Sequence, residues 1–327
     1  MEAPDRNLAL DLVRVTESAA LSSSRWLGRG DKNAGDQAAV DAMRLAFNNL
    51  PLDGVIIIGE GEKDEAPMLF NGEHVGNGQG LAVDVAVDPV EGTNLLAYGR
   101  PNAISVIGLA PKGSMFLPGP SFYMRKLVVP AAAKDVVDLD APVGDNLQRI
   151  AKALGKDVDD LLVFVLDKPR HKDLITAIRQ AGARITLHTD GDVAGSLMAI
   201  DPDDGVDVMM GTGGTPEGVL SACAIRALGG RLLARLDPQK EEEKRALAEA
   251  GIDCRPVLTE ETLVASDDTY FAASGISGGT FLGGVRYTGT HAICHSMVMR
   301  GKTGTMRRIE TRIQLDKLME ISALKYD

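Results

Sequence analysis

Cysteine is scarce in this chain. Three occur in 327 residues, Cys223, Cys254 and Cys294, and none forms a CxxC pair. That excludes a disulfide framework and structural zinc spacing, leaves three buried thiols as the reading, and fits a reducing compartment. There is one tryptophan, Trp26, read with most of the methionines as core. No apolar run approaches the roughly 18 residues that a membrane-spanning helix needs. Positive charge is in deficit, with 35 Lys and Arg against 46 Asp and Glu, a net charge of −11. This argues against broad attraction to nucleic acid or an anionic membrane. An anionic substrate would need local cations or metals to reverse the field at its site. The start, Met1-Glu2-Ala3-Pro4-Asp5-Arg6, is polar and acidic with no positively charged start before an apolar run, so no secretory leader is expected. A cytoplasmic protein that engages neither nucleic acid nor membrane is expected.

With 44% hydrophobic and 25% charged residues, the composition is that of a soluble globular protein with one large or two moderate domains. Apolar spacing predicts a helix over about Leu8–Trp26 (Leu12, Val15, Ala19) and another over Gly35–Asn48 (Ala39, Met43, Phe47). Strands are expected at Val55–Ile58, buried on both faces, and at Leu81–Asp88, Ala103–Leu109 and Lys126–Val129. From about residue 142 helices and strands alternate up to a helix over Pro216–Leu228, the pattern of a sheet covered by helices. The charged run Gln239–Glu249 reads as a solvated helix face. Gly-punctuated strands return at Tyr270–Ser274, Phe281–Tyr287 and Ala292–Arg300. The expected division is an N-terminal α+β subdomain, 1–140, and a C-terminal α/β subdomain, 141–327. The closing strands are free to rejoin the first sheet.

The residues that carry chemistry cluster at strand ends. Asp88-Pro89-Val90-Glu91-Gly92-Thr93 closes an alternating apolar run. Pro89 cannot continue a central strand, and the turn it forces can bring Asp88 and Glu91 to one side. Hard oxygen ligands of this kind suit Mg²⁺ or Mn²⁺, although on spacing alone an acidic turn is the commoner reading. A second acidic cluster, Gly59-Glu60-Gly61-Glu62-Lys63-Asp64-Glu65, follows the Val55–Ile58 strand. Gly211-Thr212-Gly213-Gly214-Thr215-Pro216-Glu217 ends a strand and opens a helix, with Thr215 as N-cap and Pro216 first in the helix. Lys168-Pro169-Arg170-His171-Lys172 is a basic knot able to grip phosphate. Asp36, placed in the first turn of its helix, and Lys32 before it are open both to ligand contact and to plain surface roles.

Taken together these segments resemble a known family. Asp88-Pro89-Val90-Glu91-Gly92-Thr93 resembles the Asp-Pro-(apolar)-Asp-Gly-Thr signature of the lithium-sensitive sugar and inositol phosphatases, with Glu91 in place of the second Asp. That change, with Gly28-Arg29-Gly30-Asp31-Lys32, Gly59-Glu60-Gly61-Glu62, Asp64-Glu65-Ala66-Pro67-Met68, Lys168-Pro169-Arg170-His171 and Gly213-Gly214-Thr215-Pro216-Glu217-Gly218, is similar to class II fructose-1,6-bisphosphatases of the bacterial GlpX type. The likeness runs from Arg14 to about Arg308. It implies a layered αβαβα sandwich in two subdomains, the N-terminal one (1–140) metal-binding and the C-terminal one (141–327) sugar-phosphate-binding, with the active site in the cleft between them. It makes Asp36, Glu60, Asp88, Glu91 and Glu217 metal ligands for Mg²⁺ or Mn²⁺, and Thr93, Asp64 and Lys32 catalytic. Glu91, Gly92, Thr93, Tyr123, Lys168, Pro169, Arg170, Asp190, Gly191, Asp192 and Gly214 become substrate-binding. One departure is the short segment after Gly230, where many relatives carry an insertion.

The implied reaction is hydrolysis of the 1-phosphate of fructose 1,6-bisphosphate by a metal-activated water, in a homo-oligomer (dimer or tetramer). Related sugar bisphosphates are further candidate substrates. Three other readings stay open. They are a bifunctional enzyme that also takes sedoheptulose 1,7-bisphosphate, an inositol or other sugar monophosphatase, and a non-catalytic sugar-phosphate-binding regulator.

Overall fold

The computed structural model describes residues 7–59 and 69–321. Among these, no helix is long and apolar enough to cross a membrane. Contacts divide the chain into two compact units, Met1–Gly113 with Asp268–Asp327, and Ser114–Asp267. In chain order the first segment forms α1 (Ala9–Ser24), α2 (Lys32–Phe47), β1 (Leu52–Ile58), β2 (His74–Val75), β3 (Leu81–Glu91), α3 (Thr93–Ala97) and β4 (Ile104–Pro111). The middle segment supplies β5 (Tyr123–Val129), α4 (Val143–Leu154), β6 (Leu162–Leu166), α5 (Lys172–Ala181), β7 (Arg184–His188) and α6 (Asp192–Ile200). It continues with β8 (Val208–Gly214), α7 (Thr215–Leu228), β9 (Arg231–Leu236), α8 (Glu241–Glu249), β10 (Leu258–Thr259) and α9 (Glu260–Leu263). The last segment gives β11 (Tyr270–Gly275), β12 (Arg286–Thr288), β13 (His291–Arg300), β14 (Thr305–Gln314) and α10 (Leu315–Ile321).

Each unit is mixed α/β and is built on its own sheet. The first sheet runs β12-β13-β11-β4-β3-β1-β2, with β14 paired along β13. The second runs β10-β9-β5-β8-β6-β7. Pairing explains why the division falls at Gly113 and Asp268 rather than near residue 140. β5 hydrogen-bonds to β8 and β9, which ties the residues after Gly113 to the second sheet. β11 hydrogen-bonds to β4, which returns the closing strands to the first.

In the first unit, the apolar stripes of α1 and α2 pack on one face of the sheet. Leu12, Val15 and Ala19 join Ala39, Met43 and Phe47 in one buried cluster with Val85, Val87, Ile107 and Ala272. Side chains the size of Leu or Phe each contribute about 1.5–3 kcal/mol on burial. β1 departs from the expectation of burial on both faces: Leu52, Gly54, Ile56 and Ile58 are buried and the residues between them only half-buried. Only the two-residue β2 lies outside it in the sheet, so β1 is nearly an edge strand. Trp26 is half-buried rather than core, with the Arg29 guanidinium 5.4 Å from its ring centroid. Within Phe281–Tyr287 only Arg286 and Tyr287 lie in a strand. β14 gave no apolar signal because it is an edge strand whose Arg307, Arg308, Glu310 and Arg312 discourage further pairing.

In the second unit, β6 and β7 are parallel and joined through α5. Leu127, Val163 and Val165 pack with Leu147 and Ile150 of α4 and Ile178 of α5. Phe164 points to the opposite face by strand alternation and meets α6 there. Its ring lies so close that a Cβ on Gly195 would sit 2.4 Å from it.

The basic knot is docked onto β8 through one residue, Thr212. The His171 Nδ1–H donates to the Leu166 carbonyl at 2.7 Å, and Nε2 accepts from the Thr212 N–H at 2.7 Å. Arg170 donates from Nε and Nη2 to the Thr212 carbonyl at 2.9 and 2.8 Å. The Thr212 hydroxyl donates to Asp237 at 2.7 Å. Burial first, and then the Arg170 charge, lower the His171 pKa. The neutral ring is the one that fits, because a protonated Nε2 would face the Thr212 N–H donor to donor.

Two outcomes follow from this packing. Gly195→Ala should cost about 1–3 kcal/mol through overpacking against Phe164, a fall of roughly 2–10 °C in melting midpoint. For His171, a folded-state pKa below the unfolded value of about 6.5 means stability that is full above that pH and lost as pH falls through the folded value. The melting-point advantage of wild type over His171→Gln should therefore shrink between pH 8 and pH 5.5. A gap that stays constant would remove His171 titration from the acid sensitivity of this unit.

Candidate active site

In the first unit the site is organised by an irregularity in β3. Asp88 stands opposite Val106 of β4 and Glu91 opposite Ile104, so three steps on β3 match two on β4. Side chains three apart on a regular strand point to opposite faces; one extra residue restores parity. The bulge therefore puts Asp88 and Glu91 on one face, and Pro89 bends the strand without ending it. Pairing of β1 with β3 has already stopped at Ala86, so the missing Pro89 N–H breaks no ladder on that side. The Val90 N–H donates to Asp88 Oδ1 at 3.0 Å and closes the bulge. Asp88 and Glu91 are buried, at 9% and 5% exposure. They can present carboxylate oxygens within 4.8 Å of each other. Two hard oxygen donors at that spacing, out of bulk water, fit a divalent cation of the Mg²⁺ type.

Glu91 is followed by Gly92 at φ +88°, where a Cβ would also lie 2.8 Å from Leu95. This left-handed residue turns the chain into α3, and Thr93 becomes its first, half-buried residue. The Gly28-Arg29-Gly30 hinge hangs on the far end of α3. Gly28 N–H donates to the Leu96 carbonyl and Gly30 N–H to the Ala97 carbonyl, both at 2.9 Å. Asp31 then caps α2 by accepting from the Ala34 N–H at 3.0 Å. α2 thus begins at Lys32, three residues before the expected start, and Asp36 lies in its second turn rather than its first. Lys32 is exposed, with Nζ 5.8 Å from the Tyr98 ring centroid. Glu60, Glu62, Asp64 and Glu65 lie outside the described residues.

In the second unit, Tyr123, Lys168, Arg170, Asp190, Gly191, Asp192, Gly214 and Glu217 gather where strands end and helices begin. β5 runs antiparallel to β8, which sets Tyr123 directly opposite Gly214. The Arg170 guanidinium lies 5.2 Å from the Tyr123 ring centroid. Pro169 opens the short turn that carries Arg170 and His171. Lys168 Nζ donates to Asp190 Oδ1 at 2.7 Å. Gly191, at φ +95°, is the N-cap of α6, and Asp192 is that helix's first residue. The α7 helix starts one residue before the sequence signal: Gly214 is the N-cap, and the buried Thr215 bonds through its hydroxyl to Ser121 at 2.9 Å.

Gly213 and Gly214 are needed for space rather than for dihedral freedom. A Cβ on Gly213 would fall 1.7 Å from Asp192 Oδ2, and one on Gly214 would fall 1.6 Å from Glu217 Oε2. Both carboxylates therefore lie against bare backbone. The Glu217 carboxyl is pushed up to about 7, first by burial and then by the Asp192 charge, with Lys126 opposing. Its Oε2 has no hydrogen-bond partner among the described residues. A buried acid with one oxygen left without a donor suits a cation.

The residue that sequence reading passed over is Lys126. Its ammonium is buried, donating to Asp192 Oδ2 at 2.6 Å and to the Gly214 carbonyl at 2.7 Å. A signal existed in the strand alternation, since Lys126 shares a face with the fully buried Met124 and Val128. Thr212 and His171 were likewise visible only as parts of motifs, because their hydrogen bonds join segments some forty residues apart.

Comparison with known proteins gives the family. The family model described as bacterial fructose-1,6-bisphosphatase, glpX-encoded, matches residues 6–313. The chain is 48% identical over 325 residues to the fructose-1,6-bisphosphatase 1 class 2 of Escherichia coli (strain K12), covering 95% of this chain and 96% of that protein. It has the same identity and coverage with the fructose-1,6-bisphosphatase class 2 proteins of Escherichia coli O6:H1 and Shigella flexneri. With the bulged Asp88–Glu91 pair, the Gly213–Gly214 strand end and the docked basic knot in place, the chain belongs to the glpX-encoded family of bacterial fructose-1,6-bisphosphatases.

Proposed function

We propose that this chain hydrolyses the 1-phosphate of fructose 1,6-bisphosphate, giving fructose 6-phosphate and inorganic phosphate. The observation that carries the reading is the buried Asp88–Glu91 pair, set on one face by the bulge within the family signature. Asp36, Glu60, Asp88, Glu91 and Glu217 are the proposed ligands of Mg²⁺ or Mn²⁺. Such ions, when bound, lower the pKa of a water and neutralise charge on the phosphoryl oxygens and the leaving alkoxide.

The chain's own groups do the rest. Thr93, with Asp64 or Asp36, orients the attacking water in line with the bond that breaks, and Gly92 keeps the backbone close to the phosphoryl group. Lys32 supplies positive charge at the same end. Lys168 and Arg170 grip the distal phosphate, which turns remote binding energy toward the reacting bond. Arg170 keeps Nη1 for this purpose, since Nε and Nη2 are held by Thr212. Tyr123, Pro169, Asp190, Gly191, Asp192 and Gly214 shape the sugar site. A cytoplasmic homo-oligomer is the proposed working form.

The direct test is phosphate release from fructose 1,6-bisphosphate, sedoheptulose 1,7-bisphosphate and inositol monophosphate, each with Mn²⁺, Mg²⁺ or EDTA. Turnover of the first, abolished by EDTA, is expected; none with any substrate would sink the enzyme reading. Glu91→Gln should lower kcat by about a hundredfold, the equivalent of some 3 kcal/mol of lost charge stabilisation, with KM changed far less. Near-normal kcat would remove Glu91 from the ligand set. Arg170→Ala should raise KM for the bisphosphate by roughly tenfold or more, the worth of a charge-assisted hydrogen bond. An unchanged KM would place the distal phosphate elsewhere.

A further inference from the structure

Lys126 lies beside the Gly213–Gly214 strand end, and the reaction above assigns it nothing. It rises from the middle of β5 and is 1% exposed. Its Nζ reaches Asp192 Oδ2 at 2.6 Å and the Gly214 carbonyl at 2.7 Å. Burying an ammonium is expensive, and a buried ion pair is weak evidence for stability because apolar residues of similar size often do as well. What the pair achieves here is placement. The ammonium ties the first residue of α6 to the N-cap of α7, two helices that start from different strand ends. Asp192 and Glu217 lie against adjacent glycines, so two acidic groups press on one short stretch of backbone, with the Lys126 charge paired to the first and opposing the rise in pKa of the second. Removing that cation would leave Asp192 free to rotate and to repel Glu217 from its position.

We propose that Lys126 is a positioning residue of the phosphatase: by holding Asp192 and the Gly214 carbonyl, it fixes the Glu217 carboxylate where a divalent cation can use it. This rests on the reading of Glu217 as a metal ligand. The role is distinct from phosphate binding, since a fully buried ammonium with both contacts inside the unit does not reach substrate.

The experiment measures Mn²⁺ binding to metal-stripped protein by electron paramagnetic resonance of the free ion, alongside kcat. Lys126→Met should weaken Mn²⁺ binding and lower kcat by roughly tenfold to a hundredfold, the range seen when the partners that orient metal ligands are removed. Lys156→Met, which deletes another ion pair of the same unit at 2.6 Å to Asp207, is the control and should change neither. A folded Lys126→Met protein with wild-type Mn²⁺ affinity and kcat would overturn the proposal. Should that variant fail to fold, Lys126→Met combined with Asp192→Asn removes both charges of the buried pair. It should bind Mn²⁺ more weakly than Asp192→Asn alone, and equal affinity would overturn the proposal. Glu217→Gln separates this from the reading beneath it. Wild-type Mn²⁺ binding there would remove Glu217 as a ligand and the Lys126 role with it. Weak binding there beside normal binding in Lys126→Met would remove the Lys126 role alone.

Discussion

A buried ammonium has to be compensated on every side, and that requirement organises the second unit. Lys126 finds one carboxylate and one carbonyl, and each belongs to the start of a helix. Breaking such a pair typically costs about 3–5 kcal/mol, because the partner charge is left buried alone. Asp192, Gly214 and the strand ends around them can therefore not drift independently. The absence of side chains at Gly213 and Gly214 is part of the same arrangement, since the carboxylates of Asp192 and Glu217 occupy the volume that two Cβ atoms would fill. Glycines that look like flexible punctuation in the sequence are, in the fold, a tightly determined strand end.

The basic knot is held by similar means. Thr212 spends its N–H, its carbonyl and its hydroxyl on His171, Arg170 and Asp237. Arg170 is thereby oriented before any ligand arrives, and Lys168 is paired with Asp190. Orienting cations in advance reduces the entropy lost when a phosphate is bound. On the proposed function, cations fixed in one place would also let a protein of net charge −11 hold an anionic sugar phosphate.

In the first unit the comparable constraint is parity. Asp88 and Glu91 are three residues apart, and a regular strand would direct them to opposite faces. The extra residue in β3 overcomes this, and the Val90 N–H bond to Asp88 stabilises the irregular backbone. Gly92 then reverses the chain into α3, whose far end carries the Gly28–Gly30 hinge and so the start of α2. Two segments that share no local pattern, residues 28–36 and 88–97, are thereby joined through backbone hydrogen bonds.

Periodicity and motif order alone determined much about this protein. The apolar stripes of α1 and α2, the alternation through β3 and the βαβ rhythm of the middle segment are local signals. They report burial directly because a helix or strand has a fixed period. The signature around Asp88–Thr93 and its companions likewise identified the family from residue order. Tertiary structure decided what depends on pairing between distant segments. It placed β5 with the second sheet and β11 with the first, revealed the polar edge strand β14, and moved Trp26 out of the core. It also turned the Pro89 break into a bulge and brought Lys126 to Asp192 across 66 residues of chain. A lysine in a strand looks like any surface lysine until the fold removes its water, and only the folded chain specifies which carboxylate replaces it.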